Sequence, residues 1–298
     1  MLKPKKDFYP CYYDLTFKWV FGKNDNKQYT CYLYNLLNPD EPINESDFVF
    51  VNNEDVAGVR MKSSLYDIRF DVNVEPKLLV NIEMQKDKPN YNFLYRNDIY
   101  SAKMISSSLE RGEDYSQTKR VYTLCISMED LLKNGKWYTE YRKMDIENPN
   151  INECSWVRNV FIQLKYRDKC DNIRLRNMLD IIASENPNTL RGSDSIMDKL
   201  IDEINKVNTN RDFIAAMIQQ EMKELDDNTK MNDAIRKGLA EGRELGLQQG
   251  LQQGLQQGLQ QGRTEEKRNI AKALKQANTP IDVIVSSTGL TKEEVESL

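Results

Sequence analysis

Apolar side chains recur along this chain at two different spacings, and the change of spacing divides it into elements. From Asp14, read as an N-cap, the stretch DLTFKWVF sets Phe17 and Phe21 four residues apart, the spacing of one helix face. KQYTCYLYNLLNP then places Leu33, Leu36 and Leu37 on one side before Pro39 ends the run, which predicts two helices, or one helix broken near residues 22–25. Three short runs rich in β-branched and aromatic residues follow: FVFV at 48–51, SLYDIRFDV at 64–72 and KLLVNIEMQ at 77–85. Glu75 and Pro76 mark a turn between the last two, so these predict a hairpin. Residues 91–111 return to helical spacing through Tyr95, Ile99, Ala102, Ile105 and Leu109, with Gly112 as the stop. Strands are predicted at 121–128 and 156–166, and helices at 171–184, 194–207 and 211–227.

Beyond Lys230 the pattern changes. Glycines 238, 242, 246, 250, 254, 258 and 262 fall every four residues, most of them separated by Leu-Gln-Gln. Four residues turn an α-helix by about 400°, so a leucine stripe drifts about 40° per repeat, and each glycine costs about 1 kcal/mol relative to alanine. Two readings stand: a flexible spacer, or a helix that associates with another copy and can slide by one repeat. The last 34 residues recover globular signals: Ile270, Leu274, Thr279-Pro280 as a helix start, Gly289 as a stop and Thr291 with Glu294 as a capping box. Lysine and glutamate are mixed in this tail, without an arginine-rich reading face, so it reads as a packing or oligomerisation element.

Composition narrows the chemistry. The chain of 298 residues contains no histidine, which removes Ser-His-Asp and Cys-His catalysis, a histidine base and a mixed Cys/His zinc site. Cys11, Cys31, Cys125, Cys154 and Cys170 are scattered and odd in number, with no CxxC, and read as reduced thiols. No apolar run approaches the roughly 20 residues that cross a bilayer, and residues 1–10 lack a signal-peptide core. A cytoplasmic protein without a membrane partner is expected. With 42 basic and 46 acidic side chains, net charge −4, charge alone points to no nucleic-acid partner.

Strand alternation singles out a pair of acids. In LVNIEMQ, Val80, Ile82 and Met84 share one face, and Asn81, Glu83 and Gln85 the other. In LYDIRFDV, Tyr66, Ile68, Phe70 and Val72 oppose Asp67, Arg69 and Asp71. If the two strands pair, Asp67 and Glu83 can face the same side of the sheet. Adjacent carboxylates repel unless protonated or bridged by a cation, and hard oxygen donors suit Mg²⁺ or Mn²⁺. On pattern alone, acids on the second face of a strand read first as a solvated surface.

At these residues the chain resembles the PD-(D/E)XK nuclease superfamily, and within it the bacterial recombination-promoting nuclease, or PD-(D/E)XK nuclease family transposase, group. The matching blocks are YDLTFKWVFG at 13–22, SSLYDIRFDV at 63–72, VNIEMQ at 80–85, 95–126, FIQLKY at 161–166 and the glycine-punctuated tail. The resemblance implies an α/β fold with a restriction-endonuclease-like core (αβββαβ) and a helical C-terminal extension. It implies a core at 1–170, a helical extension at 171–235, a Gly-Leu-Gln-Gln repeat helix or linker at 236–264 and a small helical tail at 265–298. Carried over by position, Asp67 and Glu83 are metal ligands and catalytic acids, the Met84 carbonyl is a further ligand, and Gln85 stands where the superfamily most often has lysine. The implied activity is Mg-dependent hydrolysis of DNA phosphodiesters, with Mn as the other metal candidate, linked to recombination or mobile-element activity. Lys62, Arg69, Lys86, Arg96, Tyr100 and Lys103 are the candidate DNA contacts. The alternative is a nuclease-fold protein with little activity that binds DNA or forms a homo-oligomer through the repeat.

Overall fold

The computed structural model describes residues 4–51, 54–55, 64–65, 67–75, 77–87, 93–109, 112–148 and 156–298. Contacts divide the chain into two units, Met1–Glu221 and Met222–Leu298.

In the first unit two helices come first, α1 (Asp14–Phe21) and α2 (Lys27–Leu37). Asp14 is the first helical residue and Tyr13 is the N-cap, with no side-chain cap bond, so Asp14 is released for another use. The strands β1 (Phe48–Phe50), β2 (Glu54–Asp55), β3 (Ser64–Leu65), β4 (Ile68–Val72) and β5 (Leu78–Gln85) follow, then α3 (Phe93–Ser106) and β6 (Arg120–Ser127). An edge strand that the hydrophobic pattern did not predict, β7 (Tyr138–Arg142), precedes β8 (Val157–Gln163), and α4 (Ile173–Ala183) and α5 (Ser195–Thr209) come next. No residue of β7 is fully buried and its two tyrosines stand among polar residues, so the strand carries little apolar signal.

The main sheet runs β1-β4-β5-β6-β8-β7. β4 and β5 form the expected antiparallel hairpin, with Ile68 opposite Ile82, whereas β5, β6 and β8 are parallel. Such parallel strands need a crossover, which α3 supplies between β5 and β6. Val80, Ile82 and Met84, with Leu124, Ile126, Val160 and Ile162, bury one face against residues of α1, α2, α4 and α5. Phe70 is fully buried on that side, its ring 4.6 Å from that of Phe48. α3 covers the second face, where Leu79 and Val121 pack on Met104, and Cys125 and Phe161 on Phe93. Helices on both faces of a mixed sheet give an α/β fold, as the sequence reading expected.

α3 corrects the sequence reading. The N-terminal part of its apolar stripe faces water, with Tyr95 69% and Ile99 56% exposed, and Ile105 packs at the edge of the sheet contact, while Phe93, Asn97, Ser101 and Met104 face the sheet. The reason lies beneath it. Asn81, Thr123 and Asn159 stand side by side across β5, β6 and β8 as a buried polar row. Asn159 Oδ1 accepts from Ser101 Oγ at 3.0 Å and from Thr123 Oγ1 at 2.8 Å. Ser101 matches part of this buried polar row while Phe93 and Met104 pack beside it, so hydrogen bonding as well as hydropathy orients the helix. The helix also ends at Ser106, short of Gly112, because the hydroxyls of Ser107 and Ser108 bond back to the carbonyls of Met104 and Ile105.

The last long helix, α6 (Arg211–Gln276), begins in the first unit, where Phe213 and Met217 join the core. The rest of it belongs to the second unit and contains the whole glycine repeat. Leu247, Leu251, Leu255 and Leu259 are exposed there, and a Cβ added at any glycine from 238 to 262 would meet nothing within 4 Å. α7 (Ile281–Thr288) and α8 (Lys292–Glu296) close a small core of Ala271, Ile284, Leu290 and Val295. Gly289 takes the left-handed conformation as the α7 stop, and the Thr291–Glu294 capping box is present. Pro280 is the N-cap of α7, one position earlier than its expected place inside the helix.

Ser101→Leu, which improves the apparent apolar pattern of α3, is expected to lower stability by about 1–3 kcal/mol because it removes a hydrogen bond to the buried Asn159 amide and forces a larger side chain against the sheet. Ile99→Lys, on the exposed side, is expected to stay within about 0.5 kcal/mol of wild type. Urea denaturation of both variants measures the contrast.

Candidate active site at the ends of β4 and β5

β5 alternates, so Glu83 points away from the main core and lies under α3, only 5% exposed. There the Arg96 guanidinium of α3 pairs with Glu83 Oε1. Arg96 is itself held over the rings of Phe93 and Tyr100, at 4.6 and 5.5 Å from their centroids. Asp67 sits in a bend just before β4, opposite this end of β5. Its Oδ2 accepts from the Met84 backbone N–H at 2.9 Å, which ties the two strand ends together. Its Oδ1 lies 3.1 Å from Lys18 Nζ, and the same ammonium is 3.2 Å from Asp14 Oδ2. Asp14 Oδ1 is buried without a hydrogen-bond partner. Among the described residues, three carboxylates and two cations thus gather where α1, α3, β4 and β5 meet.

The charges in this group are not balanced. Burial pushes the Asp67 carboxyl well above its ordinary value, and the Asp14 and Glu83 charges push in the same direction, against the pull of Lys18 and the Met84 N–H. Burial likewise raises Glu83 to about 7, and the Asp14 charge adds to it, although Arg96 and Lys18 oppose the change. Burial alone would lower Lys18, but Asp67 and Asp14 outweigh it and hold the ammonium above its ordinary value. The Cys125 thiol, beside Glu83 in the β5–β6 register, is driven far up by burial and then by that carboxylate, so it is no nucleophile.

The donors fit a hard divalent cation. Burial raises the proton affinity of both carboxyls, a cost that a bound cation would relieve, and Mg²⁺ is ordinarily bound by one or two carboxylates plus water and substrate oxygens. Among the described residues no three Asp, Glu, Cys or His side chains form a ready-made cage, because Lys18 separates Asp14 from Asp67.

The model of the PD-(D/E)XK nuclease family transposases matches residues 11–234, three quarters of the chain. The chain belongs to that family. No curated protein and no solved structure matches it.

The family match spans Asp14, Lys18, Asp67, Glu83 and Arg96. Placed in this PD-(D/E)XK fold, the other expected site residues divide. Gln85 ends β5 on the Glu83 side of the strand, and its Nε2 donates to the Asp87 carbonyl at 2.8 Å. Met84 buries its side chain in the core, and its backbone N–H is what meets Asp67. Lys86 lies close to the site end of β5, with Nζ 4.1 Å from the Tyr13 ring centroid and 3.9 Å from Asp87. Arg69 is half-buried on β4, and Lys103 is half-buried on α3. Tyr100 packs against Leu79, Met104 and Val121, and Arg96 is engaged with Glu83. Lys62, Tyr66 and Cys154 lie outside the described residues. The sequence reading missed Lys18 and the site role of Asp14. Their i, i+4 spacing in DLTFK was the available signal, since it puts both on one helix face.

A carboxyl whose native pKa lies above its unfolded value binds its proton more tightly when folded. That stability is present on the acid side and is lost as pH rises. For Glu83 the window runs from the ordinary 4.5 to about 7. In EDTA, urea midpoints are therefore expected to fall as pH is raised through this window, and Glu83→Gln to flatten the fall. A wild-type midpoint that rises across the window would contradict the assignment.

Proposed function

We propose that this chain is a metal-dependent endonuclease that hydrolyses DNA phosphodiesters, with Asp67 and Glu83 as its metal ligands and Mg²⁺, or Mn²⁺, as the ion. The observation that carries this reading is the burial of those two carboxylates at adjoining strand ends, each held by a partner yet under-neutralised. Membership in the PD-(D/E)XK transposase family supports DNA as substrate and a place in recombination or mobile-element chemistry.

The chain's own groups divide the work. The Met84 N–H fixes one oxygen of Asp67, and Arg96 fixes Glu83, so both carboxylates are oriented before substrate arrives. Asp67 and Glu83 would hold the divalent ion, which would supply a water of lowered pKa and a Lewis acid for the phosphate oxygens. Gln85, at the end of the same strand, offers an amide that can orient a water but carries no charge. Lys86 stands nearby to meet the DNA backbone. With a net charge of −4 the chain should bind DNA weakly, and salt should weaken that binding further.

Purified wild type is expected to nick or linearise supercoiled plasmid with Mg²⁺ or Mn²⁺ and to stop in EDTA. Asp67→Ala and Glu83→Ala, folded by circular dichroism, are each expected to lose cleavage by a factor of about 100 or more. Folded variants that cut at the wild-type rate would refute the assignment.

A further inference from the structure

Electrostatic stabilisation of a phosphoryl transition state calls for a cation close to the reacting phosphate, and Gln85 cannot provide one. The arrangement around Asp67 offers a cation from another element. α1 is pinned by Phe17, Val20 and Phe21, all fully buried in the main core. Its C-terminal end packs close to the start of β4, where a Cβ on Gly22 would lie 3.4 Å from Ile68 Cγ1. This close approach brings Lys18 to Asp67. The ammonium has three N–H donors, of which the contacts to Asp67 Oδ1 and Asp14 Oδ2 account for two. Its side chain remains 31% accessible.

We propose that Lys18 supplies the positive charge of the nuclease site, delivered from α1 in place of a lysine at position 85. This rests on the nuclease reading and deepens it. In hydrolysis the water oxygen forms the new P–O bond and the P–O bond to the leaving sugar oxygen breaks. Of the two water protons, one leaves to solvent and the equivalent of the other ends on the leaving alcohol. Lys18 keeps its proton throughout and enters no bond; its third N–H is directed at a non-bridging phosphoryl oxygen, where charge accumulates. Asp14 is a positioning residue, holding the ammonium against the pull of Asp67 alone.

The test compares wild type with Lys18→Met, Lys18→Arg, Lys18→Met/Gln85→Lys and Asp67→Asn, each read in two ways. Single-turnover plasmid cleavage gives the rate, and calorimetric titration with Mn²⁺ gives metal affinity without turnover. Lys18→Met is expected to lose about 100-fold in rate, the scale of one lost transition-state donor, and Lys18→Arg to lose less. Gln85→Lys in the Lys18→Met background is expected to recover at least about tenfold by restoring an ammonium from the neighbouring strand. Mn²⁺ should bind Lys18→Met as tightly as wild type or more tightly, because a competing cation has left Asp67. Rate and affinity moving apart is a result that a merely structural lysine does not give. If Lys18→Met cuts near the wild-type rate while Asp67→Asn is inactive, the role of Lys18 is overturned and the nuclease reading stands. If Lys18→Met loses Mn²⁺ binding with its rate, or Gln85→Lys restores nothing, Lys18 is structural and the proposal is overturned. A folded wild type that cuts nothing removes the nuclease reading, and this inference with it.

Discussion

Burying Asp67 and Glu83 side by side is the constraint from which the rest of the first unit follows. A carboxylate taken from water into the protein interior is strongly penalised unless it is paired or hydrogen-bonded. Each of these two acquires its partners from a different direction: Asp67 from the β5 backbone and α1, Glu83 from α3. α1, α3 and the hairpin must therefore meet at one place. The pairing is incomplete, since both acids still favour their protons more than exposed carboxyls do. A surface that only had to be stable would gain from replacing this group by apolar side chains; retaining it suits a site that receives a cation.

The polar row under α3 extends the same logic across the sheet. Asn81, Thr123 and Asn159 commit the helix above them to polar groups, and Ser101 answers. That choice fixes the rotation of α3 about its axis, and so the height and direction from which Arg96 reaches Glu83. Packing and site chemistry are thereby linked: the orientation that leaves Tyr95 and Ile99 in water is the one that places Arg96 over the acid.

Much of this was legible in the residues. Strand length and β-branching located β4, β5, β6 and β8, and period-two alternation separated Glu83 from the core-facing Ile82 and Met84. Hydropathy failed where another force decided the outcome. α3 answers a buried polar row as well as an apolar one, so Tyr95 and Ile99 of its apolar stripe are left in water. β7 is an edge strand with little to bury. Lys18 and Asp14 escaped notice because a lysine and an aspartate four residues apart are ordinary on a solvated helix, and only the close approach of α1 to β4 brings them to Asp67. In α6 the glycines meet no neighbour within their own chain, and the helix has little to rest on there beyond its backbone bonds.

The central claim is that the Asp67–Glu83 pair is a divalent-cation site, and thermal unfolding with and without Mg²⁺ tests it most directly. A ligand that binds only the folded state raises its melting temperature in proportion to the logarithm of its concentration above the dissociation constant. The account predicts that Mg²⁺ raises the Tm of wild type above pH 7 and leaves Asp67→Asn and Glu83→Gln unchanged. An equal shift in all three proteins, or none in wild type, would contradict it.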